Sequence, residues 1–595
     1  MKNFSKLLDQ LAGLSKAIVR YPITEVFLVA GAIINAMAIN DPKDYQKELL
    51  ALLVGAFIGA CGQALYERFF DKTIGRITLM GASAALTLGY YLILLKAPVL
   101  SVEIVIRTIV ALLALFFAFI LIPVVKSKIN FNQSFLAVFK SFFQTLLYSM
   151  VIFGGVSLII FAFDTLIAPV DEKAFSHVAN VVFVLFSPLF FLSLIPVYPG
   201  KINETLEQAQ IAAQDETIQK VATMPRFLEI LISYIIIPLA AVYTLILVAY
   251  LVLNVRGEFW TNNLMEPMLV SYSIVVIFIY LLASSIDNKF ANTFRMIFPK
   301  VLVPLVVFQI AASVLKIGDM GVTHGRYYVI IYGVFATLAG LVMCFLPPIK
   351  NSLIGALLIA FSLVSIVPPV DAFTISRKSQ IELLEKTLQE NGMLENNQIV
   401  AKSDLDKDAK TVIIKTVDYL TMMDYIAAVD FLPEDFNMWE DFYATFGFEY
   451  YDTDYRPDDY VSVQIAENTM IPILGYDYFC AAGISSEKYS DMLPFNFTHE
   501  QASYTVDVKT IGNIEYLILT DSQDQVINKI DLYAIGTQLK TYNQEFVPLT
   551  YEQATFSSIE GSIKMTLIIR GGSFDYRTSA IQFYLDAYIL IDFIE

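Results

Sequence analysis

The chain has 595 residues, 56% of them hydrophobic, with a mean hydropathy of +0.60 and a formal net charge of −17. That is too apolar for an ordinary soluble protein. Three His argue against His-rich metal sites and His-based catalysis, and three Cys provide no disulfide framework.

Residues 1–22 read as an amphipathic basic segment carrying Lys2, Lys6, Lys16 and Arg20, without the small-residue cleavage pattern of a signal peptide. Residues 23–370 then read as a transmembrane helical domain. A spanning helix needs roughly 20 apolar residues to cross a hydrocarbon core of ~30 Å. About eleven segments qualify, near 23–40, 49–66, 77–95, 102–125, 142–167, 177–198, 227–253, 267–286, 301–315, 327–346 and 352–369. With the N-terminus inside, the inner segments carry 17 Lys+Arg and the outer loops 7, the bias expected of cytoplasmic loops. An odd number of spans then puts everything after residue 370 outside.

Several residues in the spans invite a chemical reading. Glu103 and Arg107 are four apart, so they share a helix face and pair. Charges within a membrane often mark function. Both sit near the outer end of the fourth span, however, where snorkelling makes an interfacial pair. Glu229, beside Arg226 at the inner mouth of the seventh span, has the same two readings. Gly55 and Gly59 form a G-x-x-x-G that suits close helix packing within the chain. Pro188, Pro196, Pro238 and Pro304 fall in or near spans, where proline bends a helix. Transporters build midplane sites from such broken helices, but here no central charges accompany them. The stretch 200–226, rich in Ala, Gln and Glu, predicts a short helix between the sixth and seventh spans.

After Pro368-Pro369 the texture changes to that of a water-soluble protein. Residues 1–370 carry 25 Lys+Arg against 20 Asp+Glu, whereas residues 371–595 carry 15 against 37, a net charge of −22. Ser379 and Glu382 fit a capping box, placing a helix start there or near Ser376, and Gly392 is its expected stop. A polar loop over 395–408, a helix over 409–429 and a third helix over 436–446, capped by Asp435 and ended by Gly447, follow. Beyond Gly447, alternating Tyr, Val, Ile and Thr predict an antiparallel sheet of five to seven strands, with Gly512-Asn513 and Gly571-Gly572 as hairpin turns. The fold class is therefore an α-helical polytopic membrane bundle followed by a soluble α+β domain with an antiparallel sheet.

Four stretches carry a family likeness: SYIIIPLAAVYTLILVAY at 233–250, GVTHGRYYV at 321–329, FTISRKSQIELLEKTLQENGML at 373–394 and ILGYDY at 473–478. Their order resembles the bacterial multi-pass membrane family known as domain of unknown function 4153 (DUF4153-like), from about residue 227 onward. The resemblance implies a polytopic inner-membrane protein and carries over no catalytic residue. Read physically, Gly321 and Gly325 suit a tight turn, and Arg326, Tyr327 and Tyr328 lie where a helix enters the membrane interface. There Arg326 is an interface anchor, or else, with His324, it binds an anion or the acidic domain above it.

Acidic clusters are the candidates for chemistry in the soluble part. Asp404, Asp406 and Asp408 begin like a calcium loop, but Ala409 and Lys415 stand where that loop needs Gly and Glu. Asp452, Asp454, Asp458 and Asp459 form a second cluster among tyrosines. It reads as a divalent-cation or acid–base site, or as a solvated acidic face. No phosphate-binding loop, H-E-x-x-H or G-x-S-x-G occurs, so no catalytic, cofactor-binding or metal residue is assigned, no cofactor is expected, and an enzyme is disfavoured. The net −22 argues against nucleic acid as a partner. The expected partners are the lipid bilayer and an envelope protein or cell-wall ligand; the pattern specifies no oligomeric state. The leading reading is a bacterial cytoplasmic-membrane protein presenting an extracytoplasmic recognition domain. Two others stay open. One is a transporter or flippase with an outer cap, using Glu103, Arg107 and Glu229. The other is a membrane transferase acting on lipid-linked substrates, using the carboxylates of 452–459.

Overall fold

The computed structural model describes residues 13–41, 43–97, 100–201, 208–254, 265–433, 435–450, 460–466, 468–486, 493–512, 514–540, 548–575 and 582–594. Eleven helices among them are long and apolar enough to cross a membrane: Pro22–Asn40, Gln46–Phe69, Thr73–Leu95, Val102–Val124, Phe131–Leu166, Lys173–Leu194, Gln214–Leu253, Glu266–Ala283, Lys289–Leu315, His324–Phe345 and Pro348–Ile366. They match the expected spans one for one and are numbered here in that order. The expected connecting helix is also present, at Gln208–Ala222, and a break at residues 223–225 separates it from the helical turn that begins at Arg226.

Local chemistry sets the helix starts. Ser101, Asn130, Asn288 and Thr323 each accept a hydrogen bond from a first-turn backbone N–H, and Asn130 forms a full capping box with Gln133. Glycine sets the close approaches. A Cβ on Gly55 would lie 2.7 Å from the Thr87 side chain, and one on Gly59 2.7 Å from Thr24 Oγ1. The G-x-x-x-G therefore packs the first and third spans against the second, within one chain. Pro188 and Pro238 each follow a π-helical turn, Asn180–Phe186 and Leu231–Ile236. The wider turn makes room for a ring that would clash with the preceding turn.

Three arginines at one end of the first three spans are spent on the bundle rather than on solvent. Arg20 makes a bidentate pair with Glu67 at 2.7 and 2.8 Å and donates to the Ile195 and Pro196 carbonyls. Arg76 donates to the Val19 and Arg20 carbonyls, and Arg68 to those of Val125, Lys126 and Pro199. Charge-assisted bonds of this kind are stronger than neutral ones, and they knit the loops between spans together.

The chain forms two compact units, and they do not divide where polarity changes. The first is Met1–Lys402 with Lys415–Phe446; the second is Ser403–Ile414 with Gly447–Glu595. The helix Ala372–Glu390, the hairpin of β1 (Leu394–Glu395) and β2 (Gln398–Ile399), and the short helix Met438–Phe446 thus pack as part of the bundle's own unit. The helix Ala372–Glu390 starts earlier than the Ser379 capping box suggested. Asp371 caps it, accepting from Phe373 N and Thr374 N. Gly392 ends it at φ +64, as expected. The helix Lys407–Met422 is shorter than the expected 409–429, because Asp424 turns the chain at positive φ. Asn437, not Asp435, caps the helix Met438–Phe446, through a 3.0 Å bond from Trp439 N.

The second unit is built on two antiparallel sheets rather than the single sheet expected. One has five strands in the order β3-β10-β11-β4, with β9 also paired to β10; the other has four in the order β5-β6-β7-β8. These are β3 Tyr460–Gln464, β4 Tyr478–Ser485, β5 Phe495–His499, β6 Ala502–Ile511, β7 Ile514–Thr520, β8 Val526–Asp531, β9 Thr555–Glu560, β10 Ile563–Asp575 and β11 Gln582–Phe593. Both sheets and the helix Leu532–Lys540 share one core, containing Val506, Leu517, Leu539, Leu567, Leu585 and Ile589. The turn at Gly512 joins β6 to β7 as predicted, with Ile511 opposite Ile514. Gly571-Gly572 does not form a turn. It lies inside β10, where the register with β11 slips between Ile569 and Gly571. Strand glycines commonly mark such bulges.

Candidate functional site

Two places gather chemistry, one in each unit. In the bundle unit, Ser101 starts the fourth span so that Glu103 and Arg107 emerge on one face. Arg107 Nη2 lies 2.8 Å from Glu103 Oε1 and 2.7 Å from Asp371 Oδ1, and Nη1 donates to the Ile366 carbonyl at 2.8 Å. Asp371 is fully buried and also accepts from Thr374 Oγ1 at 2.6 Å. Burial would raise its pKa, but the Thr374 bonds and the Arg107 guanidinium outweigh that and hold it below the usual carboxylate value. The other oxygen of Glu103, Oε2, accepts from Tyr425 Oη at 2.9 Å. Burial and the Glu103 carboxylate push the Tyr425 phenol well above its ordinary pKa, so it stays a donor. The Arg107 guanidinium also stands 5.1 Å over the Phe373 ring.

The G-V-T-H-G-R-Y-Y segment meets the same layer. His324 N donates to Tyr419 Oη at 2.9 Å, and its Nδ1 lies 3.0 Å from that oxygen. The His324 ring stacks between Tyr419 and Phe373. Tyr327 donates to the Val370 carbonyl at 2.6 Å. Ser379 accepts from Val322 N, and Gln380 Nε2 donates to the Met320 and Val322 carbonyls. Gly321 has φ +64, and a Cβ there would lie 2.7 Å from Gln380 Nε2. The two motifs are thus the two sides of one contact, between the mouth of the tenth span and the helix Ala372–Glu390. Arg326 donates to the Lys316 and Gly321 carbonyls, closing the turn that precedes its own helix.

Of the remaining sequence candidates, Glu229 pairs with Arg226 at 2.9 Å and accepts from Asn288 at 3.2 Å, tying the seventh span to the start of the ninth, far from Glu103 in the chain. Asp452, Asp454, Asp458 and Asp459 lie outside the described residues. Among the described residues, no group of three or more His, Cys, Asp or Glu is placed to hold a metal ion.

The second place lies in the other unit, at the β10 bulge. A polar pocket of about 520 Å³ opens there, bounded by Gln464, Thr469, Arg570, Gly572, Asp586 and Tyr588. Arg570 Nη1 is 3.5 Å from Asp586 Oδ2, and its guanidinium stands 5.1 Å over the Tyr588 ring. Tyr588 in turn packs on Phe479, itself half exposed, and Tyr584 projects from the same strand, 58% exposed. A bulge brings the β10 and β11 side chains together in a way uniform alternation would not. Sequence reading missed these residues. The signal was an Arg directly before two glycines inside a strand-like run. Asp371 was also missed, although an acidic residue just after a double proline and directly before a helix is a cap signal.

A family model described as Domain of unknown function (DUF4153) matches residues 46–400. No curated protein and no solved structure matches the chain.

Proposed function

The chain belongs to the DUF4153 family of multi-pass membrane proteins, and from that premise we propose that it is a membrane-held recognition protein. The bundle anchors it in a bacterial cytoplasmic membrane with the N-terminus inside, and the β unit faces outward to bind an envelope protein or cell-wall ligand. The observation that carries this reading is the pocket at the β10 bulge. An Arg, a carboxylate and a Tyr converge beside exposed Phe479 and Tyr584, and Arg and Tyr are the residues that dominate binding hot spots. The contacts of the charged residues in the bundle unit support it. Glu103, Arg107 and His324 meet Asp371, Tyr425 and Tyr419, so these groups serve to fix the layer above the spans rather than to face a substrate.

The test uses the full chain in detergent, immobilised and exposed to solubilised envelope material. Wild type is expected to retain a partner that Arg570→Ala and Tyr588→Ala lose, with unchanged thermal unfolding. Equal retention by all three proteins would sink the assignment of the pocket. The side of the membrane is read separately. Cys480→Ser with Ser403→Cys should react with an impermeant maleimide in intact cells; reaction only after lysis would place the β unit in the cytoplasm.

A further inference from the structure

The ILGYDY stretch at 473–478 closes the loop that joins β3 to β4, and its two halves behave differently. The second half is fixed to the β unit. Gly475 turns the chain at φ +89, a conformation that favours glycine. Tyr476 Oη lies 3.0 Å from Thr566 Oγ1, and Lys564 Nζ stands 4.6 Å from the centre of the Tyr476 ring. Asp477 N donates to the Ile591 carbonyl, and the Asp477 carboxylate accepts from Phe593 N, both at 2.9 Å. Tyr478 packs on Phe497 and Phe593 and donates to the Thr498 carbonyl. The first half, with the residues just before it, is displayed outward. Leu474 is 97% exposed, Met470 91% and Ile473 57%, and Pro472 between them is exposed too.

Apolar side chains held this far into water are unfavourable, and contiguous ones mark an interaction site. Residues 468–476 carry no charge, although residues 371–595 together carry −22. The tip is aliphatic. Protein hot spots favour Trp, Tyr and Arg and are poor in Leu, whereas hydrocarbon takes up Ile and Leu without a shaped receptor. At the base of the tip stand Tyr476 and Lys564, an amphipathic ring and a long-stemmed cation, the residue types that settle at the membrane–water boundary. Ile559, opposite Lys564 across β9 and β10 and 62% exposed, extends the apolar part. The chain crosses between its two units at 402–403, 414–415 and 446–447. The β unit is thereby tethered at three points to a bundle of helices long and apolar enough to cross a membrane, so a bilayer is the apolar phase always at hand.

We propose that residues 470–474 insert into the surface of the bilayer that holds the spans, with Tyr476 and Lys564 at headgroup level. The rigid base presents the tip, and the aliphatic side chains supply the hydrocarbon contact. The same loop lends Thr469 and Ile471 to the wall of the pocket at the β10 bulge, so insertion holds that pocket at the membrane surface. Insertion needs only a bilayer, on whichever side the β unit lies, and does not depend on what the pocket binds.

The full chain, with Cys61→Ala, Cys344→Ala and Cys480→Ser, is labelled at Met470→Cys with an environment-sensitive fluorophore and placed in nanodiscs of phosphatidylethanolamine and phosphatidylglycerol. The control carries the label at Ser522→Cys, exposed in the turn between β7 and β8. The Met470→Cys label is expected to emit at shorter wavelength, to be quenched by spin labels on the lipid acyl chains, and to be quenched by aqueous iodide several-fold less than the control. Adding Leu474→Asp should raise iodide quenching to the control level and leave the unfolding midpoint unchanged, because that side chain is exposed. Equal iodide quenching at the two positions without Leu474→Asp overturns the proposal. So does a blue shift without quenching by the lipid spin labels, which would mean that protein covers the tip. Lipid quenching that Leu474→Asp leaves unchanged overturns it as well.

Discussion

Asp371 illustrates how one side chain can join two levels of structure. Its fully buried carboxylate caps a helix and pairs with Arg107, whose side chain is 26% exposed. Removing one member of a buried pair leaves the other uncompensated, at a cost of about 3–5 kcal/mol. Arg107 keeps Glu103, so Asp371→Ala should cost near the lower end, about 3 kcal/mol, read by thermal unfolding in detergent. The pH dependence has a fixed sign. The folded-state pKa is depressed, so the stabilisation is complete above the ordinary carboxylate value of 3.8 and is lost as pH falls through the folded pKa. The stability gap between wild type and Asp371→Asn should therefore hold at neutral pH and narrow below pH 3.8; a gap independent of pH would remove the ion pair from the account. Glu103 and Arg107 were legible as a helical pair from their spacing. Their third partner, 264 residues away, left only a cap signal at its own position.

The motif glycines and the strand glycines separate by what a methyl group would meet. At Gly321, alanine meets both positive φ and the Gln380 amide, whereas at Gly325 a Cβ finds nothing within 4 Å. Gly321→Ala should cost about 1–3 kcal/mol, the range for overpacking, and Gly325→Ala should be tolerated. In β10 the same contrast holds one residue apart. A Cβ on Gly572 would lie 2.3 Å from the Tyr584 carbonyl, whereas one on Gly571 is 3.6 Å from its nearest neighbour. Gly572→Ala should therefore unfold the β unit at lower denaturant than Gly571→Ala; equal midpoints would contradict the bulge geometry. The expectation of a turn at Gly571-Gly572 rested on composition, which does not separate a turn from a bulge. Only the pairing of β10 with β11 on both sides of the glycines does so.

Across the molecule, the boundary of polarity and the boundary of packing differ. Residues 371–402 and 415–446 are polar in sequence yet pack with the bundle. Hydropathy reports which surface meets water, not which neighbour a helix rests on. The layer is sewn down by Asp371, Ser379, Gln380, Tyr419 and Tyr425. Breaking it at Gln380→Ala should release the carbonyls of Met320 and Val322. Faster proteolysis between residues 391 and 410, with the spans still intact, is the expected readout; an unchanged cleavage rate would mean the layer is held elsewhere.

Eleven spans, the helix between the sixth and seventh, the family and the alternating strands after Gly447 could be read from the chain, because apolar length and periodicity are local properties set by solvent. The split into two sheets, the bulge at Gly571, the pocket around Arg570 and the closure of Glu103 and Arg107 onto Asp371 could not. Each depends on residues tens to hundreds of positions apart, and their meeting is fixed by packing and hydrogen-bond satisfaction across the whole fold.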